Sequence, residues 1–190
     1  LGVTAGLGIA GMVVPMILAG LGIFLSIIGI YAVKTKEEAS QKELLKALGK
    51  GINLSSILIL IASAAIIKYM LPQNFGVWGS IVTGLIAGVI IGKGTEYYTS
   101  SNYSPTKGIA GQAKTGPATV IIDGIATGMM STIIPVITIS SAILLSYAFA
   151  GGFSNISLGL YGIAIAAVGM LSTLGLTLAT DAYGPIADNA

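Results

Sequence analysis

Residues 117–150 read PATVIIDGIATGMMSTIIPVITISSAILLSYAFA, a run whose one charged side chain is Asp123. A hydrocarbon core of roughly 30 Å is crossed by about 20 helical residues, so the run is long enough with turns to spare. Lipid offers backbone N–H and C=O groups no partners, so a spanning segment is either a helix or part of a closed barrel. Barrel strands alternate polar and apolar side chains, and this run shows no such alternation. It is read as a membrane-spanning helix. Pro135 lies inside it, removes a backbone donor and is expected to bend it.

Four further apolar runs cover residues 3–33, 52–71, 75–92 and 156–180. Pro15 interrupts the first, whose beginning is expected to be a loop or a kinked turn. The third is only just long enough to span. Of the 190 residues 54% are hydrophobic and 8% charged, against about 25% charged in soluble domains. Too little charge is present to coat a water-facing globule. The expected fold is an all-α polytopic membrane protein with five transmembrane helices, a single transmembrane domain over residues 1–190.

His and Cys are both absent, which excludes disulfides, thiolate chemistry, imidazole bases and His or Cys metal sites. The net charge is +2, without any Arg, so nucleic acid is not an expected partner. The chain opens LGVTAGLGIAGMVV, with neither a Met nor a basic segment before the first apolar run. It reads as a piece of a longer protein, and the first run does not read as a signal peptide.

Orientation follows from the lysines. Lys34, Lys36, Lys42, Lys46 and Lys50 fall in the connection 34–51, and Lys93, Lys107 and Lys114 in the connection 93–116. The other two connections, LPQNFGVWGS and GGFSNIS, carry no charge. Lys68 alone sits toward that opposite side, near a helix end from which its stem can snorkel. Positive loops stay in the cytoplasm. The N-terminus is therefore expected outside and the C-terminus in the cytoplasm. The first cytoplasmic connection, KTKEEASQKELLKALGK, reads as a short amphipathic helix with Leu44, Leu45 and Leu48 on its apolar side and Glu38–Lys42 as an i,i+4 pair. It suits a connector on the headgroups or a lipid-binding, regulatory helix.

Small residues recur every fourth position in the third span, at Gly76, Ser80, Gly84, Gly88 and Gly92, and again at Gly124, Gly128 and Thr132 in the fourth. Such rows let helix backbones approach closely; a water path along the flat face is the functional alternative.

Four acids are candidates for chemistry. Asp123 lies two turns into the fourth span. It is either part of an ion pathway or a carboxylate at the cytoplasmic interface, eased by the positive end of its own helix. Glu96, beside the interface aromatics Tyr97 and Tyr98, is expected to pair with a loop lysine. Asp181 and Asp188 follow the fifth span. If its helix continues, seven steps of about 100° put them on one face about 10 Å apart. That is too far to share one ion but suits a column of sites at a cytoplasmic mouth. Pro185 frees the carbonyl of Asp181, and Asn189 adds another oxygen. Hard oxygen donors favour Mg²⁺ or Ca²⁺ over zinc; an ordinary polar helix end is the plainer reading.

Two stretches, EYYTSSNYSPTKGIAGQAKTGPATVII and LYGIAIAAVGMLSTLGLTLATDAYGPIADNA, closely resemble the ion-pumping membrane-integral pyrophosphatases. The resemblance covers essentially the whole chain. It implies the middle of a larger bundle, with about sixteen membrane helices, in the inner membrane of a prokaryotic cell. It implies a homodimer that hydrolyses pyrophosphate at a cytoplasmic Mg²⁺ site and moves H⁺ or Na⁺ out of the cytoplasm. By position, Asp188 corresponds to the family's aspartate that ligates the Mg²⁺–pyrophosphate assembly. Asp181 corresponds to a deeper aspartate, toward the ion pathway or a metal. The fifth span alone would join the helices around the site, and the first four would be scaffold. The remaining acidic motifs of the family are not in this chain, so the piece alone is expected to be inactive and contributes no catalytic residue of its own. Neither the stretch that separates potassium-dependent members nor the position that separates Na⁺ from H⁺ pumps is present. The rival class is a secondary transporter or channel segment, with Asp123 and Asp181 on its pathway. Inverted repeats would favour it, and none is evident.

Overall fold

A computed structural model describes residues 1–35, 41–179 and 182; the side chains of Gln41, Lys42 and Leu45 are not described. Every element among the described residues is helical. The chain runs through α1 (Ala10–Tyr31), α2 (Gln41–Met70), α3 (Gly76–Thr99), α4 (Ser104–Gln112), α5 (Pro117–Ser131), α6 (Ile133–Phe149) and α7 (Ile156–Met170). Short 3₁₀ turns occupy Pro72–Asn74 and Leu171–Thr173. Five segments are long and apolar enough to cross a membrane: Ala10–Tyr31, Lys46–Met70, Gly76–Gln112, Pro117–Phe149 and Ile156–Ala179.

Several boundaries differ from the sequence reading. α1 begins after a series of turns over residues 1–9 and carries Pro15 within it. The lysine-rich connector was expected to hold a short helix of its own. From Gln41 onward it belongs to α2, a single helix of 30 residues. Glu38 of the expected Glu38–Lys42 pair lies outside the described residues. α3 runs past Gly92 to Thr99, and α4 occupies part of what reads as a polar loop. The fourth span divides at Thr132, between α5 and α6. Pro135 explains the place: it has no N–H for the carbonyl of Ser131, four residues back, and its ring crowds that carbonyl. Ser131 and Thr132 turn their hydroxyls onto the carbonyls of Gly128 and Met129, each at 2.7 Å.

The chain forms two compact units, Leu1–Ile86 with Ala142–Ala190, and Ala87–Ser141. In the first, glycines and serines are buried beside a few large apolar residues. α1 buries Gly11, Val14, Leu18, Gly22, Ser26 and Gly29, and exposes Met16, Ile23 and Phe24. Ser55, Ser63, Ser80, Ser146 and Ser172 are buried as well. An inside rich in Gly and Ser beneath an outside of Ile, Leu and Phe is the arrangement expected when the solvent is lipid. In water, that exposed apolar surface would drive association. An apolar cluster of Val14, Leu18, Ile67, Val77, Ile81, Tyr161 and Ile165 joins α1, α2, α3 and α7. Trp78 of α3 donates its indole N–H to the carbonyl of Leu60 in α2, at 3.2 Å.

In the second unit, Gly94 of α3 leaves room for Ile134, whose Cγ2 lies 2.9 Å from where a Cβ would sit. A groove of about 340 Å³ beside the Thr132 break is lined by Thr95, Tyr98, Thr99, Ser131 and Pro135.

Candidate functional site

Two of the candidate acids, Asp181 and Asp188, follow the fifth span in the sequence. Asn155 caps α7, its side-chain oxygen accepting the Leu158 N–H at 3.2 Å. Gly151 makes the preceding turn with a φ of +86°, which side chains rarely tolerate. From there the helix is seated by small residues. Gly162 lies on the Ala150 side chain and the Ser146 carbonyl, and Gly169 on the carbonyl of Ile81. In the facing helix Gly84 lies against the Ala166 carbonyl, so close that any side chain would collide. Beside it Ser80 donates to the Ser146 carbonyl at 2.7 Å.

After Met170 the helix tightens into the 3₁₀ turn Leu171–Thr173, and helix resumes over residues 174–179. Here α1 takes over the support. Ser26 donates to the carbonyl of Ser172 at 3.1 Å, Gly22 backs onto Ser172, and Gly175 lies over the Ser26 side chain. Ser55 of α2 donates to the Leu25 carbonyl of α1 at 3.2 Å. Sequence reading missed this set. The signal was available in the spacing of Gly22, Ser26 and Gly29, the same device noticed in the third span.

Asp181 and Asp188, with Pro185 and Asn189, lie outside the described residues. Among the described residues no three His, Cys, Asp or Glu side chains gather as a metal site. Asp123 is half-buried in α5, with Gly108 of α4 beside its carboxylate: a Cβ there would lie 3.8 Å from Oδ2. Glu96 accepts a hydrogen bond from the Tyr103 hydroxyl at 3.4 Å, where a lysine was expected. Tyr103 also packs on Tyr97, their ring centroids 5.3 Å apart. Thr106 donates to the Tyr98 carbonyl at 3.3 Å. Glu96 thus belongs to an aromatic corner that turns α3 into α4.

The small-residue rows divide. Gly76 and Gly84 meet the backbones of Phe149 and Ala166, whereas among the described residues Gly92, Gly124 and Gly128 have nothing within 4 Å. No residue of α5 is buried, so the row in the fourth span, expected to be tightly packed, lies open among the described residues.

Comparison with known proteins bears on the whole of this arrangement. The family model described as inorganic H⁺ pyrophosphatase matches residues 2–190. A Bacteroides thetaiotaomicron protein named "Putative K(+)-stimulated pyrophosphate-energized sodium pump" is 56% identical over 183 residues, covering 94% of this chain and 25% of that protein. A Methanosarcina mazei protein named K(+)-insensitive pyrophosphate-energized proton pump is 42% identical over 176 residues, covering 93% of this chain and 26% of its own length. A protein of the same name from Caldanaerobacter subterraneus subsp. tengcongensis is 43% identical over 194 residues, 96% of this chain and 27% of that protein. The chain therefore spans about a quarter of the length of the relatives it matches. With the family model matched from residue 2 to residue 190, the chain belongs to the inorganic H⁺ pyrophosphatase family.

Proposed function

We propose that this chain is the central part of a pyrophosphate-energised cation pump that hydrolyses pyrophosphate on the cytoplasmic side and moves the cation outward. The family match over residues 2–190 carries the reading. Na⁺ with K⁺ stimulation is the favoured coupling: the relative bearing that name is 56% identical, against 42% and 43% for the two proton pumps. The lysine distribution supports an outside N-terminus and a cytoplasmic exit for the fifth span. The parent protein functions as a homodimer in a prokaryotic inner membrane.

Pyrophosphate carries several negative charges, so carboxylates cannot hold it directly. They can hold Mg²⁺, which neutralises charge on the phosphates and on the departing group. Asp188 is assigned to that metal, and Asp181, deeper along the chain, to the metal or the ion path. Their oxygen donors suit Mg²⁺, and a chain without His or Cys offers nothing softer. Asp123, beside α4, is assigned to the interface and not to the path.

The test uses the full-length parent protein in liposomes, with pyrophosphate hydrolysis followed against Mg²⁺ and K⁺ and with Na⁺ and H⁺ uptake measured separately. Asp188→Ala should remove Mg²⁺-dependent hydrolysis and uptake together. Near-normal turnover in that variant refutes the metal assignment. Hydrolysis with H⁺ uptake alone replaces Na⁺ by H⁺, and an absence of hydrolysis in the unaltered protein ends the pump reading.

A further inference from the structure

The corner between α3 and α4 gathers aromatic rings around an acid. Tyr97 meets Tyr98 edge to face, their ring centroids 5.1 Å apart, and packs against Tyr103 at 51° with centroids 5.3 Å apart. Tyr97 and Tyr103 are exposed, whereas Tyr98 and Glu96 are half-buried. Among the described residues the one partner of the Glu96 carboxylate is the Tyr103 hydroxyl, at 3.4 Å. A carboxylate has about four lone-pair sites, so most of its accepting capacity is open. Aromatic faces beside a carboxylate suit an ammonium group. The ring quadrupole attracts the charge within about 6 Å of a centroid, and the carboxylate oxygens accept the N–H groups.

Depth narrows the choice of ammonium. Tyr97 follows Gly76, the first residue of α3, by 21 residues, which is about 32 Å along the axis at 1.5 Å per residue. The hydrocarbon layer is roughly 30 Å thick. The corner therefore lies at headgroup level, on the side of the lysine-bearing connections. Lys93 and Lys107, both exposed, flank it in the sequence.

The groove of about 340 Å³ shares Tyr98 with this corner and reaches Thr95, Thr99, Ser131, Thr132 and Val136. Its hydroxyls are engaged on their own helices. Thr95 donates to the Ile91 carbonyl at 3.0 Å and Thr99 to the Thr95 carbonyl at 2.8 Å, while Ser131 and Thr132 donate to Gly128 and Met129. What faces the groove is mainly carbon. Polar corner and carbon-lined groove, joined at Tyr98, match a headgroup joined to an acyl chain. A lysine from another protein segment would satisfy the corner but has no second, apolar part to fill the groove.

We propose that the α3–α4 corner and the adjoining groove bind one aminophospholipid. The ethanolamine ammonium sits against Glu96 and the tyrosine faces, an acyl chain runs along the groove, and Lys93 and Lys107 supply positive charge for the phosphate. This rests on the membrane reading of the helices and not on the pump reading.

The test uses the full-length parent protein, stripped of lipid in detergent. It is titrated with dioleoyl-phosphatidylethanolamine or dioleoyl-phosphatidylglycerol, and bound lipids are counted by native mass spectrometry. One ethanolamine lipid should bind about tenfold more tightly than the glycerol lipid. Glu96→Gln should abolish that preference and leave glycerol-lipid binding unchanged. Tyr103→Leu should weaken the ethanolamine lipid several-fold, whereas Tyr103→Phe, which keeps the ring, should not. Thr95→Trp, which fills the groove, should weaken it as well. Equal affinity for the two lipids in the unaltered protein overturns the proposal and indicates that protein already fills the corner. An unchanged preference in Glu96→Gln overturns it too. Should Glu96→Gln fail to fold, Tyr97→Leu removes the central ring and carries the same expectation; an unchanged preference again overturns the site. A protein that shows the preference but does not hydrolyse pyrophosphate faults the pump reading alone.

Discussion

The Ser80 hydroxyl of α3 donates to the Ser146 carbonyl of α6 at 2.7 Å, and both residues are fully buried. Hydroxyl bonds between membrane helices contribute about 0.6 kcal/mol on average, because partly assembled helices in lipid also find partners. Ser80→Ala should therefore lower stability by less than about 1.5 kcal/mol, read from unfolding in mixed micelles. A loss several times larger would mean that the bond does more than join two helices.

Gly84 is a stricter position. Its α-carbon faces the Ala166 carbonyl with no room for a methyl group. Gly84→Ala must push α3 away from α7, and overpacking of this kind costs about 1–3 kcal/mol or more. Gly124→Ala adds the same methyl where nothing among the described residues lies within 4 Å. It should be silent or slightly stabilising, since Ala is the better helix former. Folded yield and thermal unfolding of the paired variants check the contrast.

Tyr161 is 2% exposed, and its hydroxyl has no hydrogen-bond partner among the described residues. An unpaired buried hydroxyl costs about 1–3 kcal/mol. Tyr161→Phe should keep or raise the unfolding temperature. A clear fall would reveal a partner for this hydroxyl elsewhere in the parent protein.

Asp123 separates two roles by substitution. As an interface carboxylate near the start of α5, it gains modestly from the helix dipole. Asp123→Asn should then leave hydrolysis and ion uptake within about twofold, a change of roughly 0.4 kcal/mol. Loss of uptake with hydrolysis intact would restore it to the ion path.

The number of spans was legible because lipid leaves a compositional mark that survives errors in any single residue. The joins were less legible. GKGTEYYTSSNYSPTKG looks like a loop, yet it contains the end of α3 and the first half of α4, since Tyr97, Tyr103 and Glu96 hold the corner by contacts that no local pattern announces. The break at Leu171 was invisible for a related reason: its support comes from Ser26, 146 positions earlier. Rows of glycine were easy to see, but which of them meet a partner depends on helix pairing. Gly84 does and Gly124 does not. The assignments to Asp181 and Asp188 rest on residue chemistry and family resemblance.

The burial of glycine and serine beneath isoleucine and leucine has a consequence for how mutations would harm this protein. Insertion machinery weighs each segment by hydropathy, and a leucine at Gly84 would make the third span enter the bilayer more readily. Every helix would be threaded correctly and still be unable to close on its neighbours. Damage of this kind would escape any measure of topology and appear only in assembly, as well-inserted helices that never become one folded body.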